Sequence, residues 1–143
     1  MQEFYLIDLK KIQKIVLVGC GTAYHSCLIA RYWLEQITSI TIDTDIASEF
    51  RYRQSFVHEN SLLVTISQSG ETADTLAALR LAKDMGFAST LTICNVATSS
   101  IVRESDLALM IIAGMEIGVA SRNAFTEQLI DLMLLTFAIA RYK

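Results

Sequence analysis

The residues best equipped for chemistry are Ser67-Gln68-Ser69-Gly70-Glu71-Thr72, where hydroxyls and a carboxamide crowd around a glycine. Hydroxyls and amides donate hydrogen bonds without carrying charge, and glycine lets the backbone come close to a ligand. The apolar run Leu62 to Ile66 precedes this stretch, and a helical pattern follows it as far as Met85. A strand passing directly into a helix aims unpaired backbone N–H groups and the positive end of the helix dipole at one place, which favours an anion. Phosphate matches the donor set best, held by Ser67, Gln68, Ser69 and Thr72. One hydroxyl is enough to cap a helix, so the surplus calls for a second occupant. The loop has no lysine, which separates it from the loop that binds nucleoside triphosphates. A neutral cradle suits a monophosphate that must leave again. On this reading, Ser67→Ala with Ser69→Ala abolishes binding and leaves the unliganded melting midpoint nearly unchanged.

Other groups were weighed against this loop. Gly19-Cys20-Gly21-Thr22 also follows an apolar strand, and Asp43 or Asp45 could serve as a ribose-binding acid. The third glycine of the dinucleotide pattern is replaced by Tyr24, and that reading leaves the Ser-rich loop unexplained. Cys20 could be a nucleophile beside a helix N-terminus, although neither His25 nor His58 can be assigned to it and a small loop residue serves equally. Glu49, Glu71 and Glu116 are weak candidates for proton transfer on a bound carbonyl compound. Each is as readily a solvated or ion-paired acid, and Glu71 also suits the dipole of the helix that follows. Arg51-Tyr52-Arg53 is an isolated basic cluster suited to ion pairs or a subunit contact. Cys20, Cys27 and Cys94 lack metal-ligand spacing, and no metal or cofactor is expected.

These loops need strands and helices to hold them. A short lead-in helix is expected over 4–11, then a strand from Lys14 to Val18 and a helix with an inward stripe at Ala23, Cys27, Ala30, Leu34 and Ile37. Ile40 to Asp45 is a second strand, followed by an amphipathic piece from Ala47 to Arg53. Ser61 to Ile66 is the third strand, and Thr72 to Met85 its helix, with Ala78, Leu81, Ala82 and Met85 inward and Gly86 as the C-cap. Thr90 to Cys94 is the fourth strand, Ser99 to Glu104 a helical turn, and Leu107 to Ile112 the fifth strand. A loop from Ala113 to Ser121 feeds a long helix starting near Asn123. Nearly continuous apolar strands alternating with helices imply a parallel sheet covered on both faces, a three-layer α/β fold of flavodoxin type. With the order 2-1-3-4-5, the loops leaving strands one and three flank the switch point where ligands bind. Those loops are Gly19 to Thr22 and Ser67 to Thr72. In the last helix, Phe125, Leu129 and Leu132 occupy one side and Ile130, Leu134 and Phe137 another, so part of its surface is expected to pack on another chain or domain.

The 143 residues suit a single domain over 1–143, with 1–13 as lead-in, and 52% hydrophobic residues suffice for a core. A net charge of -3 offers no basic field for nucleic acid or an anionic membrane. Charges at Glu3, Asp8, Lys10 and Lys11 interrupt any signal-peptide core, and Leu129 to Ala140 is too short to span a bilayer. An odd number of cysteines favours a reducing compartment, with the cytoplasm as the default.

Ser67 to Thr75, Cys20-Gly21-Thr22, the run Ala47 to Arg53 and the run Glu116 to Ser121 together resemble the sugar isomerase (SIS) domain. The Glu-Phe-Arg-Tyr-Arg and Ile-Gly-Val-Ala-Ser runs are more narrowly similar to the first of two SIS subdomains in the glutamine-fructose-6-phosphate aminotransferase family. That resemblance implies a hexose phosphate ligand, fructose-6-phosphate or glucosamine-6-phosphate. Ser67, Gln68, Ser69 and Thr72 would hold its phosphate, while Cys20, Gly21, Thr22, Val119, Ala120 and Ser121 would line the sugar. Two positions depart from the family pattern. Ala23 stands where a serine is usual, and Arg122-Asn123 replaces Thr-Lys, so contacts of that lysine do not carry over. The family also has a glutaminase domain that releases ammonia and a second SIS subdomain that supplies the glutamate, histidine and lysine of isomerisation. The resemblance therefore implies a homodimeric parent enzyme, and a chain that binds the sugar phosphate without converting it. A phosphosugar-sensing regulatory module and a small oligomeric isomerase are the alternatives.

Overall fold

The computed structural model describes residues 7–52, 57–110 and 120–142, with side chains of the last helix from Phe125 to Arg141. Five parallel strands form one sheet in the order β2-β1-β3-β4-β5. They are β1 (Lys14–Gly19), β2 (Thr41–Ile46), β3 (Ser61–Ser67), β4 (Ser89–Cys94) and β5 (Leu107–Met110). The helices are α1 (Thr22–Ile37), α2 (Ala47–Phe50), α3 (Ala73–Met85), α4 (Ser100–Glu104) and α5 (Ala120–Tyr142). Chain order and sheet order reverse between β1 and β3, so the switch point lies between the two loops expected to flank it.

Side chains alternate across the strands and divide the core in two. Ile15, Leu17, Leu62, Val64, Leu91 and Ile93 face a cluster completed by Cys27, Ala30 and Leu34 of α1 and by Leu132, Leu135 and Ile139 of α5. Val16, Val18 and Leu63 face the other side, with Leu76, Leu79 and Ala82 of α3 and Ile101 of α4. Every residue of β3 is buried, including its polar ones. Thr65 Oγ1 lies 2.8 Å from Thr92 Oγ1, which donates in turn to the Thr65 carbonyl at 3.2 Å, so the central hydroxyls satisfy each other.

Several expected details shift. Over its described part the lead-in is a run of turns, with Lys11 N–H donating to the Asp8 carbonyl at 3.1 Å and Ile12 N–H to Leu9 at 3.3 Å. Ile7, Leu9 and Ile12 are all buried, and that spacing cannot put all three on one helical face. Ile37 is 47% exposed, because α1 ends there and Thr38 turns extended. Ser26 takes the place on the inward stripe, donating to the Ala23 carbonyl at 2.6 Å. In α3 the fully inward residues are Thr75, Leu76, Ala78, Leu79 and Ala82, while Leu81 and Met85 sit at the margin. Gly86 ends α3 in the left-handed conformation, φ 97°, as expected. Positions 111 and 112 of the expected fifth strand and 113–119 of the following loop lie outside the described residues.

The two-sided character of α5 is present in the structure. Leu132, Leu135, Ala138 and Ile139 are buried, whereas Ile130, Met133, Leu134 and Phe137 are 47%, 41%, 52% and 54% exposed.

Candidate functional site

At the carboxyl end of the sheet, where β1 and β3 diverge, lies a cavity of about 450 Å³. Cys20 and Thr22 line it from the β1 loop, and Ser67, Gln68, Ser69 and Thr72 from the β3 loop. Six of the sequence-derived residues are therefore brought together. Gly21 is the residue before α1, with φ 56°, and it shapes the turn without lining the cavity. Ala120 begins α5 and Ser121 follows it, while Val119 and Glu116 lie outside the described residues.

The β3 loop is wired by its own hydroxyls. Ser67 Oγ accepts the Gly70 N–H at 3.0 Å and lies 3.3 Å from Thr72 Oγ1. Ser69 Oγ accepts the Glu71 N–H at 3.1 Å. Two backbone donors that the sequence offers to an anion are thus already engaged. Each serine oxygen accepts one bond and keeps its O–H proton to donate, for Ser67 either to Thr72 Oγ1 or into the cavity. The first-turn N–H groups of α3, from Ala73 to Thr75, have no intrahelical acceptor, and of these residues Thr75 lines the cavity.

Gly70 is required on two counts. Its φ is 72°, and a Cβ there would lie 2.2 Å from Ser99 Oγ and 2.8 Å from Cys94 Sγ. Its carbonyl accepts the Ile101 N–H at 3.2 Å, tying the loop to α4.

Of the three weak carboxylate candidates, the two among the described residues, Glu71 and Glu49, take the solvated or structural alternative. Glu71 precedes α3, and its carboxylate turns to α4, accepting the Ser100 N–H at 2.8 Å and the Ser100 hydroxyl at 2.8 Å. These bonds, the backbone one first, hold its pKa below the usual carboxylate range. It caps a neighbouring helix instead of facing the cavity. Glu49 is exposed on α2 and does not line the cavity either. Among the described lining residues there is no carboxylate and no histidine, so they offer hydrogen bonds and no acid–base pair. Among the described residues no group of His, Cys, Asp or Glu could hold a metal ion.

Further lining residues were not anticipated. Thr75, Asn95, Val96 and Gln128 complete the cavity, with Ala23 and Ile66. Asn95 directly follows β4, at the same end of the sheet as Ser67, so the switch-point rule could have found it. Thr75 is one turn beyond Thr72, buried, with its hydroxyl 4.0 Å from Cys20 Sγ. Gln128 stands one turn before Leu132, a polar side chain on the buried stripe of α5.

Known proteins are similar to this chain in sequence and fold. The model of the SIS domain matches residues 8–138. The chain is 62% identical over 135 residues to a glutamine–fructose-6-phosphate aminotransferase (isomerizing) from Idiomarina loihiensis, a match covering 94% of this chain and 22% of that protein. The corresponding protein of Pseudomonas aeruginosa is 60% identical over 131 residues, 92% of this chain and 21% of its own length. Among solved structures, the C-terminal domain of the Francisella tularensis glucosamine-fructose-6-phosphate aminotransferase superposes with a TM-score of 0.89 at 49% identity, covering 94% of this chain and 38% of that one. A glucosamine-6-phosphate deaminase from Thermotoga maritima gives 0.78 at 28% identity, over 97% of this chain and 44% of its own. The chain thus spans about a fifth of the length of the curated relatives it matches. With strand order, cradle and matched span in agreement, this chain belongs to the SIS domain family.

Proposed function

We propose that this chain is the hexose-phosphate-holding SIS subdomain in the isomerase half of a glutamine–fructose-6-phosphate aminotransferase, serving amino-sugar synthesis in the cytoplasm. The observation that carries the reading is the cavity at the switch point, walled by Ser67, Gln68, Ser69 and Thr72 and lying at the start of α3. Uncharged donors there receive the phosphate of fructose-6-phosphate or glucosamine-6-phosphate, with Cys20 and Thr22 beside the sugar. Identity of 62% to a protein named for this activity supports the assignment. Carbonyl isomerisation needs an acid and a base. The described lining has neither, in keeping with a larger enzyme whose second SIS subdomain supplies those groups and whose glutaminase domain supplies ammonia. The exposed stripe Ile130, Met133, Leu134 and Phe137 follows helical spacing and supports homodimer formation through α5.

A thermal-shift titration of the 143-residue chain tests the reading, because a ligand that binds only the folded state raises its midpoint. Fructose-6-phosphate and glucosamine-6-phosphate are expected to raise it, and free fructose and NAD to leave it unchanged. A shift with NAD, or none with either phosphate, refutes the assignment. Formation of glucosamine-6-phosphate from fructose-6-phosphate and ammonia by the chain alone would overturn the binding-only role.

A further inference from the structure

Gln128 breaks the pattern of its own helix. The buried face of α5 runs through Leu132, Leu135 and Ile139, and stepping back one turn from Leu132 reaches Gln128 where that stripe would continue with an apolar residue. Its side chain is only 3% exposed and lines the cavity, and its Oε1 is buried without a hydrogen-bond partner among the described residues. Asn95 Oδ1, at the end of β4, is in the same condition and lines the same cavity. A buried carboxamide oxygen left bare is costly, and polar residues that break a core pattern mark sites where function outweighs stability.

The chemistry of these two atoms differs from that of the Ser67 loop. Both are acceptors, whereas the loop presents O–H and N–H donors. A phosphate dianion has no proton to give, so it cannot satisfy either of these two oxygens. A hydroxyl or an ammonium can. We infer that Gln128, seconded by Asn95, is a specificity residue that accepts a hydrogen bond from the polyol part of the ligand, so that the cavity distinguishes a sugar phosphate from phosphate alone. This rests on the sugar-phosphate reading above and names the part of the ligand that α5 recognises.

The test separates the two. Binding of sorbitol-6-phosphate, n-hexyl phosphate and inorganic phosphate is measured by calorimetry on the wild-type chain and on Gln128→Met, which keeps side-chain length and removes the polar end. In the wild type, sorbitol-6-phosphate is expected to bind more tightly than n-hexyl phosphate. In Gln128→Met its affinity falls by roughly fivefold or more, inorganic phosphate binds as before, and the unliganded midpoint is no lower. If no phosphate binds the wild type, the sugar-phosphate reading fails and this inference with it. If sorbitol-6-phosphate and n-hexyl phosphate bind the wild type equally, the inference alone fails, whether or not the variant folds. Unchanged sorbitol-6-phosphate binding by Gln128→Met, or a lowered unliganded midpoint, assigns Gln128 a packing role and also overturns it.

Discussion

Replacing Gly70 by alanine adds one methyl group at a point where two constraints meet. The φ of 72° is a left-handed conformation, which costs a residue with a Cβ about 1–2 kcal/mol. The added carbon would also stand 2.2 Å from Ser99 Oγ and 2.4 Å from Ser99 Cβ. Ser99 is only 1% exposed and precedes α4, so it has nowhere to retreat. Overpacking of this kind costs about 1–3 kcal/mol more, for a total of roughly 2–5 kcal/mol. At roughly 3 °C per kcal/mol for a chain of this size, the midpoint falls by about 6–15 °C. Gly86→Ala is the control, since Gly86 is also left-handed, φ 97°, but its Cβ would meet nothing within 4 Å. Only the conformational part is lost there. Urea denaturation of both variants, and of Gly70→Ala combined with Ser99→Gly, isolates the steric part. The double variant should recover about 1 kcal/mol or more relative to additivity. Equal losses for Gly70→Ala and Gly86→Ala, or simple additivity with Ser99→Gly, would refute the claim that Ser99 closes the space over the loop.

Three further outcomes follow from the same geometry. Ser67→Ala strands the buried Gly70 N–H, so it lowers the unliganded midpoint by about 1–3 kcal/mol worth of stability besides weakening phosphate binding; an unchanged midpoint, as the sequence alone suggests, would mean the loop rewires. Asp131 is half-buried, and burial first and Glu127 second push its pKa from 3.8 up to about 6. Its folded pKa lies above the unfolded one, so its contribution is fully present below about pH 4 and is lost as pH rises through 6. Asp131→Asn should therefore match the wild type near pH 4 and exceed it at pH 7 by about 1 kcal/mol, the full shift being discounted for partial exposure; denaturation midpoints at the two pH values that differ in the opposite sense sink this. Iodoacetamide labelling followed by mass spectrometry should modify Cys20 first, since Cys27 and Cys94 are buried and burial pushes the Cys27 thiol up. Fructose-6-phosphate should slow labelling of Cys20, and labelling at an undiminished rate would place the sugar elsewhere.

Strand order, the two converging loops and the two-sided last helix were legible from residue patterns because each reflects a short-range rule. Apolar runs of strand length between amphipathic helices leave few topologies, and Ser67 to Thr72 announces itself by composition. The misreadings came from one contact between distant segments and from bonds that the loop makes within itself. Glu71 stands where a dipole or a ligand could use it, but α4 brings the Ser100 N–H to within 2.8 Å, a separation of 29 residues along the chain. The Gly70 and Glu71 N–H groups look available in sequence and are engaged by serine oxygens once the loop closes.

What the amino-acid order determined by itself is therefore the periodicity: which segments are strands, which faces are apolar, and where hydroxyls collect after β3. What the tertiary structure alone decided is which polar atoms find a partner. Hydrogen-bond satisfaction depends on distances of about 3 Å between segments far apart in the chain, and no local pattern encodes them. For that reason the hydroxyl-lined loop could be named from its residues, while the bare oxygens of Asn95 and Gln128 emerged only once the chain was folded around the cavity.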